Sequence, residues 1–165
     1  TPEPILARRN HTMALYLVQH GKSLSKDIDP HQALSQEGIA ETKRIAEVAA
    51  NYRINVSHIK HRVKTRAHQT AEIFASALNP PRGLAEADGL KPLDDVIEFA
   101  ASLDPAENTM LVGHLPFMER MTAYLVTGST DKPVFRFQNS GIVCLNKESD
   151  SDSWVIVWTL MPKIG

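Results

Sequence analysis

The chain has 165 residues, the length of a single domain, and can bury roughly two-thirds of its unfolded surface without a structural metal or disulfide. Charged residues make up 22% of it and the formal net charge is -1, which argues against nucleic acid or an acidic membrane surface as a partner. No apolar run approaches the roughly 20 residues of a membrane span. The single cysteine, Cys144, cannot form an internal disulfide, so we expect a buried, inert thiol in a cytoplasmic protein.

The N-terminal residues 1–12 lack the continuous apolar stretch of a signal peptide. We interpret them as an extension or an expression remnant, with Met13 as a plausible native start. Residues 13–165 then form one domain.

Two hydrophobic periods alternate along the chain, which predicts alternating strands and helices. Strands are expected at residues 14–18, 56–59, 108–112, 141–145 and 154–160, the last two as a hairpin with a polar connection. Helices are expected from Ser35 to about Tyr52, over 65–78 and 94–103, and from Pro116 to Gly128. Residues 84–93 are expected to be irregular.

The first helix begins with the pattern of a capping box, in which Gly38 replaces the usual acid. The order of elements predicts an α/β fold, a three-layer α/β/α sandwich with a mostly parallel central sheet. In such sheets the functional crevice lies beyond the carboxyl ends of the strands, here residues 19–24, 60–66 and 113–116.

Histidines and cations occupy these three strand ends. His20 and His114 directly follow apolar strands, and His61, Arg62 and Arg66 follow another. Imidazole serves as nucleophile or acid-base group, and guanidinium fits phosphate oxygens with its planar fork. Arg66 lies in the first turn of a helix, where its charge opposes the helix dipole, a local conflict typical of functional sites.

Four motifs in order resemble the histidine phosphatase superfamily, which has the phosphoglycerate mutase-like fold, and in particular its small SixA-like phosphohistidine phosphatases. They are Gln19-His20-Gly21 after the first strand, Leu34-Ser35-x-x-Gly38, Arg66-Ala67-His68-Gln69-Thr70, and Gly113-His114-Leu115-Pro116. The approach to the hairpin, Asn139-Ser140-Gly141, is also similar. The resemblance extends from Met13 to about Met161.

The resemblance implies a phosphatase that acts through a phosphorylated enzyme and needs no metal or cofactor. His20 would be the nucleophile, Arg66 would hold the phosphoryl oxygens, and His114 would stabilise the transferring group. Gly21 would let the backbone approach the phosphate. Larger members supply a carboxylic acid to the leaving group; Glu86 and Asp88 lie where such a group could originate, without diagnostic surroundings. A phosphohistidine substrate has less need of that acid, because imidazole leaves more easily than an alkoxide. The short chain therefore favours phosphohistidine over a sugar phosphate.

Two positions depart from the family pattern. Gln19 replaces the first Arg of the Arg-His-Gly motif, and Arg62 stands where family members usually have Ser. Two interpretations of Arg62 stay open: it partly replaces the missing guanidinium as a phosphate ligand beside Gln19, or it points into solvent. Lys22 is a weaker substitute, and we expect His61 and His68 at the surface or just behind the phosphate contacts.

The candidate catalytic residues are thus His20, Arg66 and His114, and the candidate phosphate ligands are Gln19, Gly21, Arg62 and Arg66. The expected partner is a phosphorylated protein or a small phosphorylated molecule; the sequence does not indicate the oligomeric state. A phosphate-binding protein without turnover is the main alternative. A general phosphomonoesterase and a metal site from His20, His61 and His114 have less support, the latter because no carboxylate or thiolate has ligand-like spacing.

Overall fold

The computed structural model describes residues 14–147 and 152–164. Within these residues six strands form one sheet in the order β3-β2-β4-β1-β5-β6. The strands are β1 Ala14–Gln19, β2 His58–His61, β3 Leu84–Glu86, β4 Thr109–Gly113, β5 Ile142–Lys147 and β6 Trp154–Leu160. β3, β2, β4 and β1 are mutually parallel, whereas β5 and β6 form an antiparallel hairpin against β1.

Four α-helices cover the two faces of this sheet: α1 Gln36–Asn51, α2 Thr65–Leu78, α3 Val96–Ala101 and α4 Phe117–Thr127. Side chains of β1 alternate between the faces, as the period of two in a strand requires. Tyr16 and Val18 join the core beneath α1 and α2. Leu15 and Leu17 join the core beneath α3 and α4. The predicted three-layer sandwich with a mostly parallel sheet is therefore confirmed.

The bounds of several elements differ from the prediction. β2 lies two residues further along than expected, because its inward-facing positions are Ile59 and the buried polar His61, which an apolar pattern does not reveal. Residues 84–86, expected to be irregular, form the parallel edge strand β3. α3 begins at Val96, because the Asp95 side chain accepts hydrogen bonds from the amides of Ile97 and Glu98 and so caps the helix.

Other expectations lie wholly or partly outside the described residues. Residues 1–12 and Met13 are not described, so the proposed extension and start stay predictions. The hairpin strands pair as expected, but most of their connection, 148–151, is not described. No helix in the described part of the chain is both long and apolar enough to cross a membrane.

Gly38 packs the start of α1 against the loop that follows β1. A Cβ atom here would lie 2.0 Å from the carbonyl oxygen of Lys22. That carbonyl also accepts hydrogen bonds from the amide and hydroxyl of Ser35, and the Ser35 hydroxyl caps Gly38. The close approach explains why glycine stands where a capping box would carry an acid.

We expect Gly38→Ala to lower the free energy of unfolding by about 2–3 kcal/mol, although alanine favours helix, because the added methyl group meets a backbone atom that cannot rotate away. Urea denaturation measures this effect. Gln36→Ala, at an exposed position in the same turn, should change stability by less than about 0.5 kcal/mol. Equal stability of Gly38→Ala and wild type would contradict the packing role.

Candidate active site

The carboxyl ends of three adjacent parallel strands carry the candidate residues. β4 lies between β2 and β1, and the His20 amide donates to the Gly113 carbonyl at 2.9 Å. The Arg62 amide donates to the Val112 carbonyl at 3.2 Å. The residues that follow β1, β2 and β4 are therefore at the same edge of the sheet, where α/β folds bind ligands.

His20 is held in one tautomer. Its Nδ1 lies 2.7 Å from the carbonyl oxygen of Gly21. Since a carbonyl can only accept, Nδ1 carries the proton and Nε2 has a free lone pair. Burial, opposed by the Gly21 hydrogen bond and assisted by the charge of Arg66, lowers the pKa of His20 below its ordinary value of 6.5. The imidazole is therefore neutral at neutral pH and suited to nucleophilic attack through Nε2.

His114 faces His20 across the site. The ring centroids are 4.8 Å apart with an interplanar angle of 56°. His114 is only 3% exposed, and its buried Nε2 has no hydrogen-bond partner among the described residues. Burial lowers its pKa to about 3, with further contributions from His20, Arg66, Arg62 and Lys64. A buried imidazole nitrogen without a partner, beside the His20 ring, indicates a position for a ligand.

Arg66 lies in the first turn of α2, as predicted. Burial and the neighbouring charge of Arg62 lower the pKa of its guanidinium. The N-cap, Lys64, gives no side-chain hydrogen bond, so this end of α2 lacks the cap that Ser35 supplies to α1. Within the part of the chain that the structure describes, the charges that lower the pKa of His114 are those of His20, Arg66, Arg62 and Lys64, an arrangement that favours a bound anion.

Side chains behind His20 hold it in place. The Thr70 hydroxyl accepts from the Gly21 amide at 2.8 Å and donates to the Arg66 carbonyl at 2.7 Å. The Asn139 amide donates to the His20 carbonyl at 2.8 Å. Thr70 and Asn139 belong to motifs that the resemblance identified, but their positioning roles required the structure.

Gly21 is enclosed on the side where a Cβ atom would lie. That atom would be 2.8 Å from Thr42 Oγ1 and 3.1 Å from Ser140 Oγ, two hydroxyls that hydrogen-bond each other at 2.6 Å. The Gly21 amide is bonded to Thr70. The missing side chain therefore serves the packing behind His20, and contact of the Gly21 backbone with phosphate stays a prediction.

Other candidates from the sequence have different surroundings. His61 is 2% exposed, its ring packs edge-on against His68 at 4.7 Å, and His68 bonds Glu72, so His61 lies behind the strand end rather than at the surface. Glu86 and Asp88 are exposed, and neither is among the charges that set the pKa of His20 or His114. Cys144 is buried, and burial raises the pKa of its thiol to about 12, as expected for an inert thiol.

Burial of His114 makes stability depend on pH. Its pKa is about 3 in the folded chain and near 6.5 in the unfolded chain, so only the unfolded chain binds the proton between these values. The stabilisation is complete above pH 6.5 and is lost as the pH falls toward 3. Between pH 7 and pH 5 the loss from His114 alone is about 2 kcal/mol.

We therefore expect the difference in unfolding free energy between pH 7 and pH 5 to shrink by about 2 kcal/mol in His114→Gln. Urea denaturation of each variant at both pH values measures it, because the direct packing loss cancels within one variant. His31→Gln, at an exposed position, should keep the wild-type difference. If His114→Gln also kept the wild-type difference between pH 7 and pH 5, burial would not lower the pKa of His114 as assigned.

Neither a family model nor a curated protein sequence matches this chain. Solved structures do. A protein histidine phosphatase SixA complexed with tungstate aligns with a TM-score of 0.77 at 23% identity, covering 90% of this chain and 97% of that one. A protein assigned as phosphohistidine phosphatase SixA from Agrobacterium tumefaciens gives 0.71 at 23%, covering 90% and 97%. A mycobacterial glucosyl-3-phosphoglycerate phosphatase gives 0.66 at 16%, covering 88% and 98%.

These similarities establish the class of fold: the chain has the phosphoglycerate mutase-like fold of the histidine phosphatases. Within that class the fold is of the SixA type.

Proposed function

We propose that this protein is a phosphatase that removes the phosphoryl group from phosphohistidine through a phosphorylated His20. The observation that carries the proposal is a neutral His20 with a free Nε2, whose ring lies 4.8 Å from that of His114, a buried histidine with an unpartnered Nε2. Cationic side chains act on both rings. The similar SixA structure is a complex with tungstate, which has the shape and charge of phosphate, and this supports an oxyanion as a ligand of this fold.

In the first step His20 Nε2 attacks phosphorus and the bond to the substrate imidazole breaks. The substrate ring leaves as neutral imidazole when its other nitrogen carries a proton, so no general acid is needed. Arg66 and His114 stabilise the charge on the equatorial oxygens. Water then attacks phosphorus, the bond to Nε2 breaks, and inorganic phosphate departs with the hydroxyl group while the second water proton passes to solvent. His20 returns to its starting tautomer.

Phosphohistidine is favoured because, among the described residues, no carboxylate is one of the charges that shift the pKa of His20 or His114. A phosphomonoester has an alkoxide leaving group that must receive a proton, which an acid usually supplies. The exposed Glu86 and Asp88 do not act on the rings in this structure. The site therefore suits a substrate that leaves without acid catalysis.

The test compares phosphate release from a histidine-phosphorylated protein and from a phosphoserine peptide. We expect release from phosphohistidine to be at least about 10²-fold faster, because phosphoserine cleavage lacks the rate enhancement that a general acid usually provides. We also expect an acid-labile phosphoryl label on the enzyme. Faster release from phosphoserine would instead identify a general phosphomonoesterase.

A phosphate-binding protein without turnover is the second candidate, and Gln19 is the observation that favours it. A neutral amide beside His20 provides less charge for the transition state than a guanidinium. Tight binding of the phosphorylated protein without release in the same assay would support this candidate.

A further inference from the structure

We propose that Arg62 supplies the second guanidinium of the oxyanion site, with the neutral Gln19 as its companion on the other side of His114. The inference rests on the proposed function, because it concerns how the same site holds a phosphoryl group. It decides between the two interpretations of Arg62 that the sequence leaves open.

The first observation is a set of unpartnered polar atoms. Arg62 Nε, Gln19 Oε1 and His114 Nε2 are all buried, and none has a hydrogen-bond partner among the described residues. An arginine that pointed into solvent would have a hydrated Nε. Buried polar atoms without partners are rare in proteins, and these atoms at one strand edge indicate a ligand that the folded chain itself does not supply. Arg62 Nε carries a proton and His114 Nε2 can carry one, so both can donate to an oxyanion, whereas Gln19 Oε1 can only accept, from a protonated oxygen of the ligand.

The second observation is their placement around β4. Gln19 pairs with Gly113 on one side of this strand, and the Arg62 amide bonds Val112 on the other. Neighbouring strands are about 4.8 Å apart, so the two residues lie roughly 10 Å from each other and flank the strand that leads to His114. Gln19 and Arg62 therefore flank the end of β4, which leads directly to His114, the residue whose Nε2 lacks a partner.

The third observation is charge. The charge of Arg62 is among the causes that lower the pKa of both His114 and Arg66, so Arg62 interacts electrostatically with both side chains. Among the described residues, no ion pair joins Arg62 or Arg66 to a carboxylate, in contrast to Arg82, whose guanidinium lies 3.1 Å from the Glu107 carboxylate. Two guanidinium groups without a counter-ion repel each other. A bound oxyanion would attract both groups and so offset their mutual repulsion.

The test measures binding of tungstate and of inorganic phosphate by calorimetry. Arg62→Ser should raise the dissociation constant by about 30- to 1000-fold, the expected loss of one charged donor. Arg82→Ser is the matched control, because it makes the same substitution at an exposed residue. Arg82 lies just before β3, at the amino-terminal end of the parallel strands and away from the site, so the substitution should change binding less than 3-fold. A change below 10-fold in Arg62→Ser overturns the proposal.

Thermal unfolding without ligand separates a ligand-binding role from a structural one. Because Arg62 repels Arg66, Arg62→Ser should raise the melting temperature of the ligand-free protein and reduce the further rise that phosphate produces. A fall in the ligand-free melting temperature together with an unchanged phosphate response overturns the proposal. Arg62→Gln serves as a second variant if the serine protein does not fold.

A double-mutant cycle tests whether the guanidinium at position 62 substitutes for the one that is missing at position 19. Gln19→Arg should tighten tungstate binding by at least 10-fold in the Arg62→Ser background, where it returns a guanidinium from β1. In the wild-type background it should give much less, because a third guanidinium meets the repulsion of the other two. If Gln19→Arg changed tungstate affinity equally in both backgrounds, Arg62 would not substitute for a guanidinium at position 19. Since binding is the readout, a protein without turnover can still confirm this inference, and an active enzyme can still refute it.

Discussion

His20→Ala is expected to abolish phosphohistidine turnover, lowering kcat by about 10⁴- to 10⁶-fold, and to remove the acid-labile label from the protein. The reason is structural. The only proposed acceptor of the phosphoryl group is the Nε2 that the Nδ1–Gly21 hydrogen bond leaves free. Rapid-quench assays with a phosphorylated histidine protein measure both quantities. His31→Ala, an exposed histidine in the same loop, should keep wild-type turnover.

The same variant separates chemistry from binding. Alanine removes the nucleophile but leaves Arg66 and His114, so tungstate affinity should fall by less than about 10-fold. A stable complex with the phosphorylated partner then becomes available for identification of that partner. If His20→Ala kept both turnover and the label, the nucleophile would have to be another group, and the facing His114 would be examined first.

Arg66→Ala is expected to lower kcat/KM by about 10²- to 10³-fold, because one charged donor to the transferring group is lost. Arg66→Lys should recover only part of this loss, since an ammonium group is a point charge and cannot give two parallel hydrogen bonds. Arg66 lies in the first turn of α2, and its backbone carbonyl accepts a hydrogen bond from the Thr70 hydroxyl, which in turn accepts one from the Gly21 amide. Steady-state kinetics of the two variants provide the measurement.

Two comparisons make this result specific. Arg82→Ala removes an exposed arginine engaged with Glu107 and should leave kcat/KM within about 2-fold. The ligand-free Arg66→Ala protein should not be destabilised, because Arg66 opposes the helix dipole and is repelled by Arg62. If Arg66→Lys and Arg66→Ala were equally impaired through misfolding, lower melting temperatures would reveal it.

The sequence predicted the sandwich because strands and helices have distinct hydrophobic periods here. The 65–78 helix was predicted with its bounds, since an apolar stripe ends at Asn79, the left-handed C-cap, before two prolines. β3 was missed because a three-residue edge strand with two exposed side chains has no apolar period to detect. β2 was misplaced because the buried residue at its end is a histidine.

The sequence predicted which residues of the candidate site meet at one end of the sheet, but not the hydrogen bonds behind them; their roles stay predictions. His20, Arg66 and His114 stand out because histidine and arginine directly follow buried strands or open a helix. The hydrogen bonds of Thr70 and Asn139 join segments that are 49 and 119 residues apart, so local pattern cannot show them. The close contact of Gly38 with Lys22 joins residues that are 16 positions apart, so it too lies outside any local pattern, and the glycine was the one sign of it in the sequence.

The Thr70 hydroxyl has a consequence for hydrogen exchange. Because the Gly21 amide donates to a side chain of α2, its exchange requires the loop after β1 to separate from the first turns of that helix. The loop and the helix start therefore open together, and the protection factor of the Gly21 amide should report their shared opening free energy. In Thr70→Ser the amide keeps its acceptor, whereas in Thr70→Val the hydroxyl is absent and protection at Gly21 should be lost.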